Sequence, residues 1–542
     1  MFRFVVPISI AALFAVILMI FAAKSEELTV QQWQEDLEYL SQQVAYRHPN
    51  PWHYGVSSEE YFAAVEDLTL NIENGLPDGR IVLELFKILA LIEDSHSSPV
   101  WESINVDVLP FRLIPVAFYS GSEGIFVHTA KDDYSEHLGT YLTHINGRPI
   151  ENILRLLCSY VSGDNDLRRR IVSLWYIRNI AILYNLDITD SPDSAVYSLE
   201  QPNGDIKAVT FSVESNENYQ RYIRLRDRSE NPVPLWLKYR SKKYWYEYLT
   251  REKLIYMQFN SVQNDPDDPF DNFCEDLFNF IENHEVEKFA IDLRHNDGGN
   301  NAVYWPLIHR IALCKKINQP GHFFVIIGPG TESAAVSLAA RFQELTQALF
   351  VGAPTGGRPN GHGVVSIIQL PNSKLQFKCS SLFVRPTLNP DRRPWITPQI
   401  SAEITLEDYM NNRDPSLEAI IDYKPPITFT DFIESRNKPK SADALIALYH
   451  EFQAIPQNKW IDMESELNLY GWSFMKSGNT NDATKIFNFA IRQYPYSWKS
   501  YDNLAKVLES QDLYDQSLEY YEKSYKLNRM NFDALERLGK IR

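Results

Sequence analysis

Cysteine is scarce in this chain: Cys158, Cys274, Cys314 and Cys379 are the four in 542 residues, far apart and without a CxxC pair. That excludes a cysteine-rich zinc cluster and a dense disulfide framework, and leaves room for one or two isolated bridges. Basic charge is short as well. Lys and Arg number 53 against 70 Asp and Glu, for a net charge of −17 and a pI near 5.3. A nucleic-acid binder needs a basic face to neutralise phosphates, so that class is excluded. His48 and His53 lie among prolines rather than in a metal-ligand spacing, and neither a metal nor a cofactor is expected. Long apolar runs are missing too, with one exception at residues 4–23.

What is present suffices for packed cores. The chain is 44% hydrophobic, 13% aromatic and 23% charged, which excludes wholesale disorder. Its length suggests about three or four domains. The run at 4–23 follows a single positive residue, Arg3, and has two readings. A cleaved secretory signal fits the small-x-small site Ala23-Lys24-Ser25. An uncleaved anchor fits the need for about 20 apolar residues to cross the hydrocarbon layer. Either way the acidic chain that follows is expected to be exported: periplasmic, extracellular, or membrane-anchored and facing outward. No cysteine stands there to carry a lipoprotein anchor.

Hydrophobic spacing divides the remainder. Residues 26–105 read as helical, with Trp33, Leu37, Leu40 and Val44 at intervals of three and four and further helices around Tyr61–Leu68 and 81–91. Residues 106–215 turn β-rich, with short runs at 113–118, 124–127 and 141–147, the last ending in an Asn-Gly turn, then a further helical stretch and a strand at 209–213. From 216 to 430, apolar strands at 254–259, 288–293, 323–327 and 349–352 are interleaved with helices around 303–313 and 334–345. Such strands imply a sheet covered on both faces. Pro425-Pro426 and the polar run 435–440 mark a linker.

Residues 441–542 repeat at a period of 34. Gly471, Phe474, Ala483, Phe487, Ala490 and Pro495 align with Ala505, Leu508, Ser517, Tyr521, Ser524 and Arg529, and Leu535, Leu538 and Gly539 begin a third copy. The pattern resembles tetratricopeptide repeats, in which small residues let paired helices pack closely. That resemblance implies a docking module for a protein partner.

Three segments carry chemistry. In Gly328-Pro329-Gly330-Thr331-Glu332-Ser333-Ala334-Ala335 a buried strand runs into a glycine loop, and a serine then opens a helix. Unpaired helix-start amides there stabilise an oxyanion, although a serine at that place also serves as a plain helix cap. In Asp292-Leu293-Arg294-His295-Asn296-Asp297-Gly298-Gly299 a strand ends in a glycine pair, which allows close approach of backbone amides to developing negative charge, or simply makes a turn. A third strand ends in Val351-Gly352-Ala353-Pro354-Thr355-Gly356-Gly357-Arg358-Pro359-Asn360.

In this order the three segments resemble the tail-specific, or C-terminal-processing, serine peptidase family, over residues 29–427. The resemblance implies an α/β multidomain chain with a crotonase-like ββα catalytic core, in which the β-rich region stands where the family carries a PDZ-like domain. It also implies that Ser333 is the nucleophile and that Gly298 or Gly299, with the Ala334 amide, forms the oxyanion hole. Two positions depart from the pattern. Val336 stands where many members have glutamate. Arg358 stands 25 residues after the serine, where one branch has its lysine base, and a guanidinium cannot accept the serine proton.

Ile92-Glu93-Asp94-Ser95-His96-Ser97 supplies another base, because it resembles the DxHx segment of the branch typified by the tricorn core. By that resemblance His96 is the general base and Ser95 helps a distant carboxylate orient it. Asp391 is the nearest acid before Trp395-Ile396-Thr397-Pro398, and Gln399 follows where the family usually has aspartate. His362 competes for the base role, and His295 lines the cleft or a surface turn. Arg358 binds a substrate carboxylate or makes a structural ion pair. The expectation is an exported serine peptidase with a peptide or protein substrate and no cofactor. Its rival is a catalytically inactive ligand- or peptide-binding protein on the same fold.

Overall fold

The computed structural model describes residues 27–213, 222–423, 428–436, 438–458 and 461–541. The expected signal or anchor at 1–25 and the Pro425-Pro426 pair lie outside these residues. Among the described residues no helix is long and apolar enough to cross a membrane.

Three helices open the described chain: α1 (Val30–Arg47), α2 (Ser58–Glu73) and α3 (Asp78–Ala90). Capping boxes start the first two, from Thr29 with Gln32 and from Ser57 with Glu60. Helix α1 buries Trp33, Leu37, Leu40 and Val44, the stripe that its spacing dictates. Helix α3 is buried along most of its length, which fixes the direction of the turn that follows it and carries Asp94 and His96.

Next come β1 (Val116–Ser120), β2 (Ile125–Lys131), β3 (Tyr141–Ile145), β4 (Arg148–Pro149), α4 (Ile150–Cys158), α5 (Asp166–Tyr176), α6 (Ile180–Asn185), β5 (Ser194–Glu200), β6 (Ile206–Ser212) and β7 (Tyr222–Arg224). The strands form an antiparallel sheet ordered β1-β2-β3-β5-β6, with β4 on β3 and β7 on β2. Its core is continuous with that of the opening helices: Leu40, Phe86, Phe126, Leu154 and Tyr197 belong to one buried cluster.

The central sheet is built from β8 (Tyr244–Leu249), β9 (Leu254–Phe259), α7 (Phe270–Asn283), β10 (Lys288–Asp292), α8 (Trp305–Leu313), β11 (Phe323–Ile327), α9 (Ala334–Leu345) and β12 (Leu349–Gly352). After the hairpin β13 (Gly361–Gln369) and β14 (Gln376–Val384), a short β15 (Ile400–Ser401) joins its edge. The order is β15-β12-β11-β10-β9-β8, parallel throughout except for the β8–β9 pair. Helices α7, α8 and α9 contribute to the core on one face, through Leu277, Leu307 and Leu338. After α10 (Leu406–Met410), helix α11 (Pro415–Ile421) contributes Ile420 to the core on the other face. Burial on both faces is why these strands are apolar without alternation. Because β10, β11 and β12 are parallel neighbours, the loops after all three emerge at one edge of the sheet.

The β13–β14 hairpin is tied back to α1. Asp36 accepts hydrogen bonds from the Asn372 and Ser373 amides, and Arg47 donates to the Ile367 carbonyl. The chain finishes in helices α12 (Phe429–Glu434), α13 (Ala442–Gln453), α14 (Glu464–Lys476), α15 (Thr480–Gln493), α16 (Trp498–Glu509), α17 (Tyr514–Leu527) and α18 (Phe532–Ile541). Gly471 on α14 has no room for a side chain, since a Cβ would fall 2.6 Å from the Phe487 ring on α15. Ser517 on α17 donates to the Ala505 carbonyl of α16. All four cysteines are free thiols.

Candidate active site

The serine is delivered by a tightly strapped loop. After β11, the Gly328 amide donates to Thr331 Oγ1, which donates to the Leu293 carbonyl beyond β10. The Glu332 amide donates to the Asn296 carbonyl. These bonds hold the two loops together and leave Ser333 at φ 52°, ψ −123°. That is strained backbone for a residue with a Cβ, and such strain persists only where the surroundings over-determine it. The Ser333 side chain makes no capping bond to α9. Its Oγ lies 2.9 Å from His96 Nε2. Two groups 237 positions apart in sequence are thus at hydrogen-bond distance.

His96 stands in an acidic, mostly buried setting. Asp94 Oδ1 accepts the His96 backbone N–H at 3.0 Å and faces the ring Nδ1 at 3.7 Å. Nδ1 itself has no hydrogen-bond partner among the described residues. Burial depresses the imidazole pKa, but the contact with Asp94 and the charges of Asp94, Asp164 and Glu332 outweigh it and raise the value to about 9. Asp94 is buried and receives a hydrogen bond from Ser97 Oγ at 2.6 Å and one from His48 Nε2 at 3.2 Å. Burial works against its ionisation, yet the bonds from His48, His96 and Ser97 hold its carboxyl well below the usual range. Glu332, beside the serine and 3.3 Å from Arg168, is pushed up to about 7 by burial, with the Arg168 charge opposing.

Gly298 lies against the nucleophile, while Gly299 packs against the Val262 backbone. A Cβ on Gly298 would fall 2.5 Å from Ser333 Cβ and 2.8 Å from the Ala334 nitrogen, and Gly298 has φ +104°. Its own amide is committed to Asn296 Oδ1 at 2.9 Å. The amides of Gly299 and Ala334 donate to no acceptor among the described residues. Gly298 therefore supplies clearance, while Gly299 and Ala334 retain uncommitted donors.

The other sequence-derived candidates are placed as follows. Ser95 exchanges two hydrogen bonds with Asp164, its amide donating to Oδ1 and its Oγ accepting from the Asp164 amide, and makes none with His96. Asp391 is gripped by Arg393, at 2.7 Å from Nη2, and makes no hydrogen bond to His96. The carboxylate beside the base is Asp94, two residues before it, rather than Asp391 near the domain's end. Arg358 is buried, pairs with Glu93 at 2.9 Å and covers the Tyr54 ring at 4.2 Å, so its guanidinium has a structural partner. His362 sits behind Asp94 against His48, with ring centroids 4.3 Å apart, and burial lowers its pKa to about 4. His295 stacks on Trp236, and burial lowers it to about 3. Val336 is buried against Gly357. Sequence reasoning assigned no role to Asp94, Asp164 or His48; the Asp-x-His spacing was the one available signal for the first.

His48, Asp94 and His362 are also the residues that could hold a metal, with one donor atom each and all three within 4.8 Å of one another. As they stand, His48 and Asp94 are hydrogen-bonded to each other, while His362 Nε2 is buried without a hydrogen-bond partner among the described residues. The Asn50 amide donates to His48 Nδ1 at 3.3 Å, which leaves the proton on Nε2, and that proton points at Asp94. His48 and Asp94 are thus committed to a hydrogen bond, and His362 joins them through ring packing on His48 alone.

Taken together, this is a three-layer α/β core with a serine–histidine couple at the loop edge of its parallel sheet. No protein-family model and no curated protein matches the sequence. Among solved structures, mature CPAF complexed with lactacystin overlays with a TM-score of 0.53 at 13% identity, covering 73% of this chain and 97% of that one. A mutant of CPAF overlays at 0.51 and 13% identity, covering 74% and 100%. At that identity the likeness is one of fold.

Proposed function

We propose that this protein is a serine hydrolase, and specifically a peptidase working through an acyl-enzyme. Ser333 Oγ attacks the substrate carbonyl while His96 Nε2 takes its proton, and the Gly299 and Ala334 amides receive the oxyanion. As the tetrahedral adduct collapses, His96 returns the proton to the leaving amine. A water then cleaves the ester by the same steps in reverse order of partners. Asp94 faces the imidazole and favours the imidazolium that forms in each step. The observation that carries this reading is the 2.9 Å contact between Ser333 Oγ and His96 Nε2.

The sequence resemblance supports the finer assignments in this proposal. The central sheet is a crotonase-like core. The sheet of β1–β7 is PDZ-like, and residues 441–542 are tetratricopeptide-like repeats that recruit a protein partner. The chain is exported on the apolar run at 4–23. Treatment with a fluorophosphonate probe and an unstructured peptide tests the central claim. Wild type is labelled and cleaves the peptide; Ser333→Ala does neither while keeping its circular dichroism. Equal labelling of both proteins refutes it, and retention of a ligand without turnover supports the binding-protein alternative.

A further inference from the structure

The turn after α1 is a surprising neighbour for a catalytic base. It brings His48, 46 positions before Asp94, into the interior behind the site, where both side chains are fully buried. The geometry fixes the direction of each bond. The Asn50 N–H donates to His48 Nδ1, so the neutral ring carries its proton on Nε2 and donates it to Asp94 Oδ2. Ser97 Oγ donates to the same oxygen, and the His96 amide occupies Oδ1. With both donors on Oδ2, Oδ1 is left toward His96 Nδ1, and rotation of the carboxylate would break two bonds in a buried place. His362, packed on the His48 ring, leaves that ring little freedom to tilt. Nothing in this arrangement is required merely to fill space: an apolar side chain would serve at His48 if Asp94 were absent.

We propose that His48 is a positioning residue for the peptidase reaction, and that through Asp94 it aligns the His96 base from outside the segments that carry the nucleophile and the oxyanion donors. The inference rests on the functional reading above, since it concerns the same couple. Its consequence is architectural. The α1 turn must be docked for the base to be aligned, so the opening helices are part of the working site rather than a separate appendage.

The test uses the full chain with His48→Ala and His48→Gln, the second keeping an N–H donor of similar reach. Loss of such a supporting contact typically costs about 10- to 100-fold in activity. We expect His48→Ala to lose kcat by that factor with KM unchanged, the acid limb of its pH profile to move down, and His48→Gln to recover much of both. Equal kinetics in wild type and His48→Ala, or equal losses in Ala and Gln, overturn the proposal. A second measurement stands apart from activity and needs no variant: nitrogen-15 shifts of the histidine rings. They should show His48 protonated on Nε2, and a proton on Nδ1 instead overturns the proposal. If peptide cleavage is never found, the peptidase reading falls, while the ring tautomer still decides whether His48 holds Asp94.

Discussion

Replacing Asp94 by asparagine isolates the electrostatic part of the site. The carboxylate touches no substrate-facing atom, is fully buried, and lies 3.7 Å from His96 Nδ1. Its presence is the main reason that the His96 pKa stands near 9 rather than at the ordinary 6.5, burial pulling the other way. A rise of that size is a preference of ~3 kcal/mol for the imidazolium, at about 1.4 kcal/mol per pKa unit. Two effects follow for the reaction. The base must be neutral to accept the serine proton, so the wild-type kcat/KM should climb with pH and level off only above about pH 9. In Asp94→Asn, burial is opposed only by the more distant Asp164 and Glu332, and the acid limb should fall by about two units or more.

The plateau should drop as well, by about 10²- to 10⁴-fold, because the developing imidazolium loses its counter-charge. The sign extends to stability. A raised histidine pKa adds stability that is fully present below pH 6.5 and disappears as the pH rises through about 9, so the variant should lose most at acid pH. The assay is a pH series of peptide hydrolysis, with thermal unfolding measured across the same range. An acid limb that stays where it was, with an unchanged plateau, would refute the assignment of Asp94 as the partner of the base.

Two further outcomes are expected. Gly298→Ala should cut kcat/KM by at least about 10²-fold, because the new methyl overlaps Ser333 Cβ at a backbone angle suited to glycine; hydrolysis at the wild-type rate would show that the loop yields without cost. Arg358→Met should lower the unfolding free energy by ~1–3 kcal/mol through loss of the Glu93 pair and leave KM unaltered. A large rise in KM with unchanged stability would return Arg358 to the substrate.

Much of the scaffold was legible in the sequence because the relevant forces are local. Strands 254–259, 323–327 and 349–352 and helix 334–345 coincide with their hydrophobic runs. A strand buried on both faces must be apolar throughout, and its ends are set by the glycines and charges that follow. Elements outside that rule were lost. Helix α7 begins in what reads as a polar stretch after Asn260, since its first turn lies beyond an acidic, proline-containing loop. The hairpin β13–β14 alternates weakly because its outer face is exposed at Val365, Ile367 and Leu382. For Ser333 and His96, local motifs named the residues but could not bring them together.

The sequence by itself determined which residue types stand at the ends of buried strands, hence the serine, the glycine pair and the arginine that cannot act as a base. Only the tertiary structure decided which of several carboxylates and histidines meet. On paper Asp391 is the expected acid and His362 a rival to His96, while Asp94 and His48 carry no assigned role. The two carboxylates diverge because one is taken by Arg393 while the other, sealed from water between His48, Ser97 and His96, keeps its charge where it bears on the nucleophile's base. Pairing across hundreds of positions is set by packing, and packing is a property of the folded chain rather than of any stretch of it.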